Sequence, residues 1–452
     1  MKIVQVLGWY FPENVGGTET YVAGLAQRLV AAGHEVVIAA PHKSGWHPHS
    51  YTHSGIVVFR YPVPKAPTRS EFRDTVEMRG VEHFHRWVAQ QNADIVHFHG
   101  IATGIKLPEL NAARRAGAKI ILTLHTADLG FVCYRGTMMR WGERLCDGIS
   151  EAAKCTACAL HQRGLPKPLA AALGLTPSAL AKQALKVPGP FGTAAGMGWL
   201  VRQYQSNLGS MAASVDKLVV LTQSAYQILL ANRWPEDKMV VNRLGISHCN
   251  VHAKPGPSAV PACLPLKIAY FGRYEAIKGV EVLARAFASL PSTVPLLLEL
   301  RGPASDESGR RLLHKVRSQL GSDPRVSFAP PVPPGVAPQV LAGYDVLCCP
   351  SLTLEGGPTV ALEAYSVGTP IIGSRIGGLA ELVRDGVNGC LLPPGDYQAL
   401  ARVFRRLAED PLGTVDRWRA GISKPRTMDD IAADYVHIYG ECLHSESEPN
   451  AS

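Results

Sequence analysis

Two carboxylates flank a predicted helix N-terminus in the stretch SLTLEGGPTVALEAYSVG. Glu355 comes directly before Gly356, Gly357 and Pro358, and Glu363 lies on the helix that follows, about two turns further along than Glu355. Proline suits the first turn of a helix, because its missing N–H would have no partner there. The free N–H groups and the dipole of a helix N-terminus favour a bound anion. Carboxylates beside an anion site indicate a ligand that carries both phosphate and hydroxyl groups, and a nucleotide-sugar fits that description.

A pair of basic residues occupies a second predicted loop, GRYEAIKG. Arg273 and Lys278 follow the strand-like run KIAYF and precede the helix-like run VEVLARAFASL. Open α/β sheets bind ligands at the carboxyl ends of their strands, which is where this loop would lie. The planar fork of arginine and the point charge of lysine together neutralise a diphosphate well. The alternative is a pair of solvated surface charges, which is the usual position of these residue types.

The stretch GGTE lies between the first predicted strand and the first predicted helix. Gly16 and Gly17 would let the backbone approach a ligand closely. The alternative is an ordinary strand-to-helix turn, in which Thr18 or Glu19 caps the helix.

Three histidines stand at the ends of predicted strands. His97 and His99 end the run DIVHFHG, and His125 ends KIILTL. We predict that His125 contacts a substrate hydroxyl, whereas a structural hydrogen bond is the favoured role for His97.

A cluster of four cysteines lies in the third quarter of the predicted first domain. Cys133, Cys146, Cys155 and Cys158 end in a C-x-x-C pattern, and His161 is a substitute ligand. Four thiolates make a tetrahedral zinc site that would hold an irregular segment together. Free thiols are the equally weighted alternative.

The elements that must position these residues alternate strand with helix along the chain, a pattern typical of parallel sheets covered on both faces. A length of 452 residues favours two domains, and 46% apolar and 18% charged residues describe a globular protein. We predict a first domain over 1–246 with an insert at about 129–215, then a linker at 247–265. A second domain follows over 266–425, and residues 426–452 form a helix that packs back and a disordered tail.

The bulk properties narrow the setting. No run of eighteen apolar residues occurs, and the start MKIVQVLGWYF reads as a strand rather than a signal peptide. Ten cysteines without such a signal favour a reducing, cytoplasmic compartment. The net charge of +9 suits phosphorylated substrates, an anionic membrane surface or nucleic acid. The absence of a basic motif rich in aromatic residues argues against nucleic acid.

The insert has a one-sided charge. Residues 152–215 contain no Asp or Glu but carry Lys154, Arg163, Lys167, Lys182, Lys186 and Arg202. Such a segment suits peripheral binding to anionic lipid or recognition of a lipid-diphosphate acceptor. A solvated helical hairpin that only covers the site is the alternative.

Outside residues 129–215, the order and spacing of these motifs resemble the GT-B glycosyltransferases, specifically the retaining family 4 enzymes (glycosyl transferases group 1). GRYEAIKG resembles the Arg–Lys diphosphate clamp of that family, and EGGPTVALE resembles its paired-glutamate motif. GGTE resembles the glycine-rich donor loop, and GGLAELVRDGVNGCLLPPGD resembles the tail that follows the glutamates.

The resemblance implies two Rossmann-like domains, each with a doubly wound parallel sheet, that face each other across a ligand cleft. It implies a hexosyltransferase that moves sugar from a nucleotide-diphospho-sugar to an acceptor hydroxyl with retention and without a catalytic metal. By resemblance, Glu363 holds the ribose and Glu355 the donor sugar. The implied catalytic residues are Arg273, Lys278, Glu355 and His125, and the implied substrate-binding residues are Gly16, Gly17, Gly356, Gly357, Pro358, Thr359 and Glu363.

The expected setting is polysaccharide, lipopolysaccharide or glycolipid assembly, with a sugar or lipid-linked acceptor that the sequence does not identify. The enzymatic alternatives are a nucleotide-sugar epimerase and a disaccharide phosphorylase of the same fold. A nucleotide-sugar-binding module without turnover is the non-enzymatic alternative.

Overall fold

A computed structural model describes residues 1–13, 16–125, 132–246, 265–333 and 335–444. The chain divides into two compact units, the first made of Met1–Arg243 with Met428–Ser452 and the second of Leu244–Thr427. Residues 247–264 of the predicted linker at 247–265, and the predicted tail SESEPNAS, lie outside the described residues. The C-terminal helix belongs to the first unit, where it packs against the first helix of the chain.

The first unit is built on an eight-stranded sheet with the order β10-β9-β6-β5-β1-β2-β4-β3, and a separate two-stranded ribbon pairs β7 with β8. All neighbours in the large sheet are parallel except the edge strand β3, which runs antiparallel to β4. The strands are β1 Lys2–Leu7, β2 Glu35–His42, β3 His49–His53, β4 Ile56–Pro62, β5 Ile95–His99, β6 Lys119–Leu124, β7 Met139–Arg140, β8 Arg144–Leu145, β9 Lys217–Val220 and β10 Met239–Val241.

The second unit carries a six-stranded, fully parallel sheet with the order β13-β12-β11-β14-β15-β16. Its strand order reverses between β11 and β14, and such a switch point is where open α/β sheets bind ligands. The strands are β11 Leu266–Phe271, β12 Leu296–Arg301, β13 Val326–Ala329, β14 Val346–Cys349, β15 Ile371–Ser374 and β16 Gly389–Leu392.

Helices cover the sheets. The first unit contains α1 Gly17–Ala31, α2 Arg69–Phe72, α3 Val81–Ala89, α4 Leu107–Arg115, α5 Ala152–His161, α6 Lys167–Gly174, α7 Ser178–Ala184, α8 Gly189–Ala195, α9 Met197–Ser214 and α10 Gln223–Ala231. The second contains α11 Val280–Ala288, α12 Glu307–Leu320, α13 Ala337–Leu341, α14 Thr359–Ser366, α15 Gly377–Leu382, α16 Tyr397–Glu409 and α17 Arg417–Ala420, and α18 Met428–His444 returns to the first.

Apolar side chains fill both faces of the second sheet, as a parallel sheet requires. One core packs α11 and α16 on the sheet through residues such as Phe287 and Phe404. The other packs α14 and α15 on the opposite face through Tyr365 and Leu379. The predicted α/β class with two Rossmann-like, doubly wound parallel sheets is therefore confirmed.

The insert between β6 and β9 forms a small body of its own. Helices α5, α6 and α9 pack against one another around Leu160, Ala170, Met197, Leu200 and Val201, all of which are buried. Among the described residues, no helix is both long enough and apolar enough to cross a lipid bilayer.

Candidate active site

The clamp loop GRYEAIKG connects β11 to α11 at the carboxyl edge of the second sheet. Its last part is a single 3₁₀ turn, Ala276–Lys278, and Gly279 follows with a φ of +72°. A Cβ atom on Gly279 would lie 1.8 Å from the carbonyl oxygen of Pro350, so only glycine allows this approach. The approach brings the clamp loop against the end of β14, from which the EGG loop (355–357) continues.

This packing joins two of the predicted site residues. Lys278 Nζ donates to Glu355 Oε1 at 2.9 Å, and Ser351 Oγ donates to the same oxygen at 2.7 Å. Glu355 is only 9% exposed, and its Oε2 has no hydrogen bond to the described residues. A buried carboxylate needs such a cation and hydroxyl to offset its desolvation. The arrangement fixes one oxygen of Glu355 and leaves the other available to a ligand hydroxyl.

The glycines after Glu355 and those that begin α15 hold the EGG loop in place. The backbone carbonyl of Glu355 accepts the N–H of Gly378 at 2.8 Å, and a Cβ on Gly378 would lie 2.5 Å from the nitrogen of Gly357. Gly357 and Gly377 both have positive φ, at 109° and 51°. The paired glycines of GGLAEL therefore allow the N-terminus of α15 to pack directly on the EGG loop.

Helix α14 begins at Thr359, and Pro358 is the residue that precedes it with extended backbone. The sequence predicted that Pro358 lies within the first turn of the helix. In the structure Pro358 is the residue just before the helix, and its carbonyl accepts the N–H of Ala361. Thr359 and Glu363 are one turn apart, so their side chains share a face of α14. Glu363 is half-buried, and burial raises the pKa of its carboxyl above the ordinary value.

A cavity of about 250 Å³ lies at this edge of the second sheet. Its lining includes the predicted Arg273, Lys278, Glu355, Pro358 and Thr359, whereas Glu363 lies outside it. Several further lining residues were not identified from the sequence: Tyr270, Cys349 and Ser351. Ser351 could have been identified from the sequence, because it is a polar residue two positions after the apolar strand β14. Residues that follow the strands of a parallel sheet lie at the edge where ligands bind.

Arg273 is a solvent-exposed residue of this cavity. Its side chain is 60% exposed and pairs with Glu275 at 3.0 Å. An exposed ion pair of this kind is weak, so another anion can readily replace Glu275 as the partner of Arg273. Arg273 therefore reaches the cavity without being fixed there, in contrast to Lys278.

At the first helix, the structure places Gly16 at the N-cap of α1 and Gly17 at its first position. The buried carboxyl of Glu19 accepts the backbone N–H groups of Gly16 and of Glu19 itself, and burial raises its pKa. Glu19 thus acts as the helix cap that the alternative interpretation described. A Cβ on Gly17 would meet nothing within 4 Å, so no packing in the described protein requires glycine there.

The histidines lie at the carboxyl edge of the first sheet. His125 follows β6, and its Nε2 lies 2.7 Å from Nδ1 of His99 on β5. His97 is fully buried and bonds to the hydroxyls of Thr123 and Tyr439. Burial lowers the pKa of His125 to about 3 and the pKa values of His97 and His99 well below the ordinary range. All three rings are therefore neutral, because a buried imidazolium would lack solvation.

The four cysteines of the predicted zinc site do not converge. Three of them have partners of their own: Cys146 Sγ contacts Asp147, Cys155 Sγ lies 4.0 Å from the hydroxyl of Ser150, and Cys158 Sγ accepts the backbone N–H of Trp141. His161 Nδ1 bonds to the carbonyl of Leu165. Across the ranges that the structure describes, no three His, Cys, Asp or Glu residues group so as to hold a metal ion. The geometry gives Cys133, Cys146, Cys155 and Cys158 no shared centre, and structural zinc stays a prediction without a ligand set.

Family models match most of the chain. The model described as "Glycosyl transferases group 1" matches residues 265–424, and the "Glycosyl transferase 4-like domain" model matches residues 16–245. A D-inositol 3-phosphate glycosyltransferase of Streptomyces scabiei is 27% identical over 95% of this chain and 87% of its own length. Matches to similarly described proteins of Acidothermus cellulolyticus and Streptomyces bingchenggensis, 30% and 32% identical, cover 41% and 40% of this chain. They span less than half of those proteins, 46% and 41%.

Solved structures share the fold at low sequence identity. Sucrose-phosphate synthase of Thermosynechococcus elongatus superposes with a TM-score of 0.64 at 19% identity, over 99% of this chain and all of that one. Anabaena HepE, solved with UDP and glucose, gives 0.60 at 15% identity, over 98% of this chain and all of that one. WaaG, a glycosyltransferase of lipopolysaccharide biosynthesis, gives 0.60 at 17% identity, over 97% and 99%.

Proposed function

This chain belongs to the glycosyl transferases group 1 family of GT-B enzymes, and we propose that it transfers a hexose from a nucleotide-diphospho-sugar to an acceptor hydroxyl with retention of configuration. The observation that carries the proposal is the Lys278–Glu355 pair, which lines one cavity together with Pro358 and Thr359 at the start of α14. Those groups supply a cation for phosphate and a carboxylate oxygen for a sugar hydroxyl. A nucleotide-sugar donor is further supported by the fold relative HepE, which was solved with UDP-glucose.

Each part of the donor has a partner of suitable chemistry. The diphosphate would meet Lys278, the exposed guanidinium of Arg273 and the first N–H groups of α14. The ribose hydroxyls would donate to Glu363, whose carboxylate has two oxygens for a vicinal diol. The sugar would donate a hydroxyl hydrogen to Glu355 Oε2.

The proposed reaction proceeds on one face of the sugar. The bond from the anomeric carbon to the diphosphate oxygen breaks, and the acceptor oxygen bonds to the same carbon from the same side. The departing diphosphate takes the proton of the acceptor hydroxyl, so the step needs no protein nucleophile. The protein then contributes positioning and charge stabilisation, for which Lys278 is already held by Glu355. We propose that these cations replace a catalytic metal.

A two-stage assay tests this function. Ligands that bind the folded state raise the melting temperature, so a thermal-shift screen with UDP-, GDP- and ADP-sugars identifies the donor. Incubation of that donor with candidate sugar and lipid-linked acceptors should release nucleoside diphosphate and give a glycoside of the same anomeric configuration, read by NMR. A changed sugar without acceptor would indicate an epimerase. Release of sugar phosphate from a disaccharide and phosphate would indicate a phosphorylase, and stabilisation without turnover a binding module.

We further propose that the insert docks the enzyme on an anionic membrane, as assembly of a glycolipid or polysaccharide would require. Helices α6–α8 expose apolar side chains with no described cover, above all Phe191 at 86% and Leu175 at 75% exposure. Lys167 is paired with Glu143, whereas Lys182 lies over the ring of Trp199 and is not paired with an acid in the described residues. Exposed apolar groups beside lysines suit the boundary between headgroups and acyl chains.

Liposome co-sedimentation tests the docking surface. Binding should require anionic lipid, weaken with salt, and fall at least several-fold in a Lys182→Glu, Lys186→Glu double variant. Phe191→Ser should weaken binding at all salt concentrations, because it removes an apolar contact. Leu412→Ser is the matched control, since Leu412 is an exposed leucine of the second unit. Equal sedimentation of the parent and both insert variants would contradict the docking role.

A further inference from the structure

A continuous hydrogen-bonded network lies beneath His125 in the first unit. It crosses three adjacent strands, since β1 pairs with β5 and β5 with β6, and it ends on α18. Gln5 on β1, His97 and His99 on β5, and Thr123 on β6 are all buried. The proposed function uses only His125, so the remaining buried polar groups call for an explanation.

The polarity of the first two bonds follows from the chemistry of the groups. Gln5 Oε1 lies 2.5 Å from His99 Nε2 and can only accept, so Nε2 of His99 carries the hydrogen. Because the ring is neutral, Nδ1 of His99 is then a bare acceptor. Nδ1 lies 2.7 Å from Nε2 of His125, which must therefore donate. The bare nitrogen of His125 is Nδ1, which has no hydrogen bond to the described residues.

Helix α18 supplies the second partner of the Gln5 amide, on whose orientation this polarity depends. Gln5 Nε2 donates to the hydroxyl of Tyr439 at 3.3 Å, and that hydroxyl lies 2.6 Å from Nδ1 of His97. His97 Nε2 lies 2.7 Å from Thr123 Oγ1, which in turn lies 2.8 Å from the hydroxyl of Tyr435. With Tyr439 as donor to His97, His97 as donor to Thr123 and Thr123 as donor to Tyr435, every donor meets one acceptor, and this assignment agrees with the polarity of the first branch.

We propose that Gln5, His99 and Tyr439 are positioning residues that hold His125 as the tautomer with hydrogen on Nε2, so that Nδ1 accepts a hydrogen bond from a sugar hydroxyl. The substrate part of this inference rests on the proposed function, whereas the tautomer does not. With its low pKa, His125 is a poor general base and acts as a fixed acceptor that orients a hydroxyl. The other neutral tautomer of His125 would carry its hydrogen on Nδ1, which would then donate to an acceptor instead of accepting from a hydroxyl.

The tautomer is measured in the full-length protein without ligand. In ¹⁵N-histidine-labelled protein, the two ring-nitrogen shifts of His125 distinguish an N–H nitrogen from a bare one. Assignment uses the resonance lost in His125→Gln. We expect hydrogen on Nε2 in the parent protein. Hydrogen on Nδ1, or an even mixture of the two forms, would overturn the proposal without reference to any variant.

Tyr439→Phe tests the role of α18, because it removes the hydroxyl that orients Gln5. We expect the His125 signals to move toward a mixture of tautomers, and UDP-glucose to perturb Nδ1 in the parent more than in the variant. Tyr61→Phe is the matched control, since it removes a buried hydroxyl that donates only to the carbonyl of Gly104. His125 signals that are the same in the parent and Tyr439→Phe would overturn the positioning role. Failure of UDP-glucose to bind the parent would bear on the proposed donor and leave the tautomer result intact.

Discussion

The carboxyl edges of the two parallel sheets carry different kinds of chemistry. At the second sheet the candidate groups are charged and meet in a cavity, with Lys278 fixed to Glu355 and Arg273 exposed nearby. At the first sheet the candidate group is His125, a neutral ring held by other buried neutral groups. Under the proposed function, the second unit would stabilise developing charge, whereas the first unit would orient uncharged hydroxyls. Four variants test that division, beginning with the largest expected effect.

Lys278→Ala should lower turnover by about 100-fold or more, because it removes a fixed cation from a site where negative charge grows in the transition state. The measurement is steady-state kinetics with the donor found in the screen, together with a melting curve. Lys315→Ala is the matched control, since Lys315 forms an exposed surface pair with Glu281 in the same unit. Turnover of Lys278→Ala within a factor of two of the parent would contradict the role of Lys278 in stabilising charge.

Glu355→Ala should lower the rate of transfer by about 10- to 100-fold, the range expected when a hydrogen bond to a charged group is lost. Its affinity for free nucleoside diphosphate should fall less than the transfer rate, because the variant frees Lys278 but keeps its charge, whereas the proposed sugar contact of Oε2 is lost altogether. Isothermal titration with the diphosphate and single-turnover transfer separate the two effects. A variant that loses both equally would show that Glu355 serves the nucleotide rather than the sugar.

Glu363→Ala should weaken nucleoside-diphosphate binding by about tenfold, since two ribose hydroxyls lose a charged acceptor. Burial raises the pKa of Glu363, so the carboxylate becomes protonated at a higher pH than an ordinary glutamate. In the parent, affinity should therefore fall as the pH falls through that raised pKa. Glu363→Gln should bind more weakly at neutral pH and lose that dependence. An identical pH profile in parent and Glu363→Gln would place the ribose elsewhere.

The accuracy of the sequence predictions at the carboxyl edge of each sheet depends on how close together the site residues are in the sequence. In the second unit, each candidate lies in a strand–loop–helix segment whose glycines and charges are adjacent in sequence. The direct bond between Lys278 and Glu355, 77 positions apart, was not predicted, although both were assigned to the same edge. Parallel topology made that assignment possible, because the carboxyl ends of neighbouring strands meet at one edge.

The sequence predicted much less about the contacts in the first unit. His99 and Gln5 are 94 positions apart, and His97 and Tyr439 are 342 positions apart. Their contacts depend on the strand order β1-β5-β6 and on the return of α18, neither of which leaves a local pattern. The polar edge strand HSYTH and the core of the insert were not predicted either. A buried polar residue reveals its partner only when the topology is known.

Gly17→Ala should have the smallest effect and tests whether a ligand approaches the first helix at all. Alanine is preferred over glycine in helices by up to about 1 kcal/mol, and a Cβ at this position meets no atom of the described residues within 4 Å. The variant should therefore be at least as stable as the parent. If donor or acceptor packs against Gly17, the added methyl should raise KM about fivefold, which corresponds to roughly 1 kcal/mol of steric cost. Gly209→Ala in α9 is the matched control, because a Cβ there also meets nothing. Unchanged KM in both variants would mean that GGTE is only a capped strand-to-helix turn, and that the ligand contacts of the first unit begin at His125.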